Sequence, residues 1–149
     1  MKIKDKLVEV HLDMLNDKID VFQSMIDSMT EDAQNDAKSS AGDKHETALA
    51  MMHLEQDNLR KKVNEAIDQR AIVSRIDPER RSEFIEFGSF VRINSIYLFF
   101  SAALPKVFID EFAVLAISMD APLAKALVGR RLYDEVTYNG SVFTIFELE

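Results

Sequence analysis

Residues 8–33, VEVHLDMLNDKIDVFQSMIDSMTEDA, carry the pattern on which the fold turns. Val8, Leu12, Leu15, Ile19, Phe22, Ile26, Met29 and Ala33 alternate steps of four and three without a break. On a helix that spacing gathers all eight on one face, a seam of about four heptads. Leu49, Met52, Gln56, Leu59, Val63, Ala66, Arg70 and Val73 repeat the rule, with Gln56 and Arg70 as polar interruptions that weaken this second seam. Ile67 and Ile76 widen its apolar face towards the end, where it should meet another domain. Between the seams lies Asp36-Ala37-Lys38-Ser39-Ser40-Ala41-Gly42-Asp43, where Ser and Gly break helical propensity. Two seams joined by a short turn predict an antiparallel helical hairpin. Each arm of about 30 residues would run about 45 Å, long for a core helix in a small domain. The hairpin is therefore expected to project as a finger with its turn in solvent. The alternatives are that it folds back on the second half or pairs with another copy.

Composition changes near Asp77-Pro78. All three prolines, nine of the ten phenylalanines and all three tyrosines lie beyond Asp77. Residues 1–77 hold six of the seven methionines and one glycine, Gly42. The first 77 residues read as helix, and residues 78–149 as mainly strand. Four segments there, 84–94, 96–102, 107–118 and 135–147, are rich in Phe, Val, Ile and Tyr. Tyr138-Asn139-Gly140-Ser141 predicts a β-hairpin, because Asn-Gly suits a type I′ turn with two positive φ angles. Residues 122–129 predict one short helix, with Pro122 in its first turn and Gly129 at its stop. Phe99-Phe100 puts adjacent rings on opposite faces of a strand, which would let one ring meet a partner surface. The expected fold class is α+β: a helical hairpin of residues 1–77, then a small antiparallel sheet domain of residues 78–149 with one short helix.

The chain of 149 residues carries a net charge of −8. That is unfavourable for non-specific nucleic-acid binding, which needs clustered Lys and Arg. It has no cysteine, which excludes disulfides, thiolate metal sites and thiol nucleophiles. This agrees with a reducing, cytoplasmic setting. No run of about 18 uncharged apolar residues is present, so no membrane span or signal segment is expected. No Gly-rich phosphate loop, Ser-His-Asp arrangement or nucleotide fingerprint is recognisable.

Residues 117–136, ISMDAPLAKALVGRRLYDEV, resemble the C-terminal domain of the Gre family of bacterial transcript cleavage factors. That family shows Ser-Pro-x-x-x-Ala-Leu-x-Gly-Lys-x-x-Gly-Asp-Glu-Val before its last strands. Here Ala121 replaces the usual Ser, and Tyr133 the usual Gly. Phe87-Gly88-Ser89-Phe90-Val91 is similar to the first strand of the same domain. The resemblance spans nearly the whole chain and implies an FKBP-like C-terminal domain behind a coiled-coil finger. It implies RNA polymerase as partner, entry of the finger into the secondary channel and stimulated cleavage of backtracked RNA. The protein would then be a cofactor for the polymerase's own hydrolysis rather than an enzyme, and would touch nascent RNA only indirectly. No small-molecule substrate or membrane is implied.

Active members of that family carry an Asp, two residues and then Glu-Asn-Ala-Glu-Tyr at the tip. Here the tip, residues 40–46, ends on Asp43 and Glu46, and Ala48 also matches; Thr47, Leu49 and Ala50 depart. The resemblance implies that Asp43 positions a Mg²⁺ shared with the polymerase and that Glu46 orients its water. Mg²⁺ prefers oxygen ligands and often takes only one or two carboxylates from a protein, so no metal is expected on the free chain. By spacing alone, Asp43-x-x-Glu46 before a helix is also a capping box. The departures leave open a non-catalytic regulator of the same channel, and the seams alone would suit an unrelated coiled-coil interaction module. His45 and His53 flank the tip and His11 lies far away; all three are expected at the surface rather than on a metal. Arg60-Lys61-Lys62 is read as a solvated helix face, with RNA or an acidic polymerase surface as the alternative. The methionines read as seam filler.

Overall fold

A computed structural model describes residues 2–36 and 43–149, with the side chains of Asp36 and of residues 43–45 outside the description. Two helices come first, α1 (Ile3–Asp36) and α2 (Asp43–Ser74). Strands β1 (Phe90–Ile93), β2 (Ile96–Ser101), β3 (Val107–Ile109) and β4 (Phe112–Ser118) follow. The short helix α3 (Pro122–Leu127) precedes β5 (Glu135–Tyr138) and β6 (Ser141–Leu148). The α+β architecture expected from the sequence is therefore present. Among the described residues no helix is long and apolar enough to cross a membrane.

The chain divides into two compact units, Asp13–Arg70 and Met1–Leu12 with Ala71–Glu149. In the first, α1 and α2 pack antiparallel. Ile26, Leu59 and Val63 are buried against Ile19, Phe22 and Met29, the residues the heptad spacing singles out. The two polar interruptions turn out to be cross-links. The Gln56 side-chain amide is buried and donates to the Ile26 carbonyl at 3.2 Å and to Thr30 Oγ1 at 2.8 Å. The Arg70 guanidinium donates to Asn16 Oδ1 at 2.9 Å. A slip of one heptad would part the Gln56 amide from the Thr30 hydroxyl and Arg70 from Asn16, so these contacts favour the observed register. Ile67, expected at a domain contact, is 38% exposed, whereas Ile76 is buried.

The second unit is built on a six-stranded sheet in the order β3-β4-β2-β1-β6-β5. Every pairing is antiparallel except β2 with β4, which run parallel. The parallel pair arises because 107–118 is two strands rather than one. Asp110 takes φ +53° and closes a two-residue turn between Ile109 and Phe112, so β4 returns between β3 and β2. Asp tolerates this left-handed backbone better than most side chains, but Asp-Glu is a weaker turn signal than Asn-Gly. The predicted Asn139-Gly140 turn is present, with φ of +50° and +78°. Residues 84–89 are not strand; they are held by the bridge from Phe84 to Arg131 and by backbone hydrogen bonds, among them Gly88 N–H to the Phe100 carbonyl at 2.7 Å and Ile85 N–H to the Arg130 carbonyl at 2.8 Å.

The sheet is covered on both faces. On one, Val91, Ile93, Leu98, Phe100 and Ile145 pack with Ala124 and Leu127 of α3. On the other, the root of α1 lies against β2, with the buried His11 ring stacked on Phe99 at 5.8 Å. Phe99 and Phe100 are consequently both fully buried, and neither ring meets a partner surface. The Lys6–Asp110 ion pair at 3.0 Å ties α1 to the β3–β4 turn. The second unit thus takes in the first turns of α1 as well as the end of α2.

Candidate functional site

The sequence directs attention to the end of the hairpin where α1 and α2 are joined. On α2 the seam residues Leu49 and Met52 are half-buried, and Glu46, one turn nearer the start of the helix, is exposed. Thr47, Ala48 and Ala50 are exposed as well. Asp43 begins α2, but its side chain lies outside the described residues, as do residues 37–42. The proposed pairing of Asp43 with Glu46, and the capping box that competes with it, lie there too. Glu46 fits one requirement of a Mg²⁺ ligand: it carries a carboxylate on a solvent-facing side of the helix. Among the described residues no group of three His, Asp or Glu side chains gathers at one point.

The remaining sequence candidates separate clearly. Arg60, Lys61 and Lys62 are exposed, with Arg60 3.2 Å from Asp57 on its own helix. Lys62 and Lys18 also lie over the Phe22 ring, at 5.6 and 5.9 Å, and shield it from both helices. His53 is exposed, and the His45 side chain is outside the described residues. His11 corrects the expectation of a surface residue: it is fully buried, and neither ring nitrogen makes a hydrogen bond of good geometry. Burial lowers its pKa, a Leu7 backbone interaction opposing the shift. Its seam phase could have revealed this, since position 11 lies beside Leu12 and Leu15 on the apolar arc of α1.

The sheet unit contains a polar cleft of about 410 Å³ that the sequence did not signal. Lys4, from the first turn of α1, is buried there and donates to the Arg80 carbonyl at 2.7 Å. Burial lowers the Lys4 pKa, and Glu149 opposes the shift. The Arg80 guanidinium meets Glu86 at 2.6 Å and holds its carboxyl below the usual range. Arg75 stacks over Phe87 at 5.7 Å. Arg80 and Glu86 are thus spent on each other, and the cleft is lined by residues of α1, of the segment after α2 and of the C-terminus.

The region of the sequence resemblance shows what two of its departures, Ala121 and Tyr133, do. Ala121 stands at the N-cap of α3 and supplies no side-chain hydrogen bond; Pro122 occupies the first turn. Tyr133, at the usual glycine position, has φ +70° and is 70% exposed, while its N–H donates to the Ile145 carbonyl at 2.7 Å. The backbone keeps a conformation that glycine adopts freely, now with a side chain added.

No protein-family model matches the chain, and no curated protein matches it. Among solved structures, it is similar to GreA factor homolog 1 (Gfh1) protein of Thermus thermophilus, with 18% identity and a TM-score of 0.37, covering 93% of this chain and 94% of that one. A second structure, described as the transcription factor Gfh1, gives 18% identity and a TM-score of 0.35, covering 92% of each chain.

Proposed function

We propose that the protein is a Gre-like transcription elongation factor that binds RNA polymerase. In this reading the hairpin enters the secondary channel and its end reaches the polymerase active site. Asp43 and Glu46 then help hold a Mg²⁺ that the polymerase also binds, and the polymerase hydrolyses the backtracked RNA. Two metal ions can generate the attacking water and stabilise the departing oxygen of a phosphodiester. This chain supplies carboxylate oxygens and their placement; the other ligands and the RNA belong to the partner. The observation that carries the reading is the antiparallel pairing of a 34-residue and a 32-residue helix, cross-linked from Gln56 to Thr30, with Glu46 exposed near the start of the second. The motif of residues 117–136 supports it independently.

The test uses a stalled elongation complex with Mg²⁺ and follows release of short 3′ RNA fragments. The wild-type protein should accelerate release, and Asp43→Ala with Glu46→Ala should abolish the effect without loss of polymerase binding. Full stimulation by the double variant would overturn the assignment. The departures at Thr47, Leu49 and Ala50 favour a second reading, a non-catalytic channel regulator. It predicts inhibited transcription and polymerase binding that are both indifferent to the two acids.

A further inference from the structure

One helix of the hairpin carries a groove that its partner helix does not fill. Asp20, Ser24, Ser28 and Asp32 form one row at four-residue spacing along α1, and Val21, Met25 and Met29 form the next; between them lies a groove of about 540 Å³. Val21 is 57% exposed and Met25 42%, whereas Ile26 in the seam is 4% exposed. The hairpin's own packing therefore leaves Val21 and Met25 uncovered, while the half-buried Met29 joins this row to the seam. Adjacent four-residue rows on a helix are the surface into which a row of side chains from another helix packs. The small Ser24 and Ser28 lower one wall and permit close approach, while Met25 and Met29 adapt to the incoming shape.

The charge around the groove selects the occupant. Between Asp13 and Asn35, α1 carries Asp13, Asp17, Asp20, Asp27, Glu31 and Asp32 against Lys18 alone. Asp20 and Asp32 stand at the two ends of the groove, about 18 Å apart at the helical rise. We propose that this face of α1 docks a basic amphipathic helix of a partner protein, its apolar row seated against Val21, Met25 and Met29 and its Lys or Arg side chains reaching Asp20 and Asp32. Such a helix lies as a third member beside the hairpin and reads the groove through spaced apolar anchors. Acidic flanks repel an acidic helix of the same shape, which supplies specificity. The inference does not depend on the polymerase reading.

The test uses the full chain and two synthetic 18-residue amphipathic helices, one of leucine and lysine and one with glutamate in place of lysine. Titration followed through the methionine methyl signals should show saturable one-to-one binding of the lysine peptide, with shifts at Met25 and Met29. Val21→Asp, or Ser24→Arg to block the groove, should weaken binding at least tenfold, with unchanged circular dichroism. Asp20→Lys with Asp32→Lys should weaken it by a similar factor, and the glutamate peptide should not bind. Equal affinity in all variants, or shifts confined to other helices, would overturn the proposal. Self-association lost in Val21→Asp, without peptide binding, would also overturn it and assign the groove to a second copy.

Discussion

Tyr133 holds a backbone conformation that costs a side-chain-bearing residue about 1–2 kcal/mol. Its ring is mostly exposed, so little packing offsets that cost. Tyr133→Gly should therefore raise stability, by about 1 kcal/mol once the greater freedom of glycine in the unfolded chain is counted. Thermal unfolding checks this; an unchanged or lower midpoint would mean that the ring makes compensating contacts. Ala121 is the complementary case: a helix start without a side-chain acceptor. Ala121→Ser should add about 0.5–2 kcal/mol by capping the first turn of α3, read as a shift in denaturant midpoint at constant slope. Both positions were legible as departures from a motif, but their backbone angles were not, because a single sequence does not state the φ that a loop demands.

Among the elements, the hairpin was the most legible, since an unbroken four-and-three spacing has few solutions other than a paired helix. Gln56 and Arg70 were misread as weaknesses because spacing shows polarity and not partners. Gln56→Leu should leave stability within about 1 kcal/mol of wild type, since a buried amide and its bonds are exchanged for apolar contact. It should instead loosen the register, seen as doubled amide signals over Ile19–Met29. A single set of signals would show that apolar packing alone sets the pairing. The sheet was less legible. The turn at Asp110 lacks glycine, so two strands read as one, and the parallel pairing of β2 with β4 went unseen. The end of the hairpin is where sequence carries most of the argument: Glu46 is placed and exposed, while the relation of Asp43 to it rests on spacing.

At the scale of the whole chain, composition changes where helix gives way to strand, but the core of the second unit draws on both sides of that change. Leu7 and His11 from α1, Val73 from the end of α2 and Ile76 just after it are buried in the same unit as the sheet residues. A pattern reading assigns a helix to one domain because periodicity ignores which turns of it touch what. His11 makes this contact pH-dependent. Its imidazole is neutral, buried and stacked on Phe99, and burial lowers its pKa in the folded state. The unfolded chain then binds a proton near the ordinary value of about 6.5 while the folded chain resists it. Stability is full above that pH and is lost as pH falls through it towards the folded value. His11→Phe keeps a ring on Phe99 and removes two buried nitrogens that lack hydrogen bonds of good geometry, so it should stabilise the protein by about 1 kcal/mol and flatten that limb of the pH profile. Unfolding of both proteins at pH 7.5 and 5.5 checks it: the variant's advantage should widen at the lower pH, and a constant difference would mean that His11 is solvated in the native state. The root of α1 also predicts the behaviour of fragments. A chain of residues 78–149 lacks Leu7, His11, Val73 and Ile76, which exposes Phe99 and its neighbours on one face of the sheet. It should bind a hydrophobic dye and unfold without a cooperative transition. A chain in which a short Gly-Ser turn replaces residues 16–67 retains all four residues and should unfold cooperatively with little dye binding. Cooperative unfolding of the 78–149 fragment would show that the α3-side core suffices, and that the helix roots merely rest on a sheet already stable.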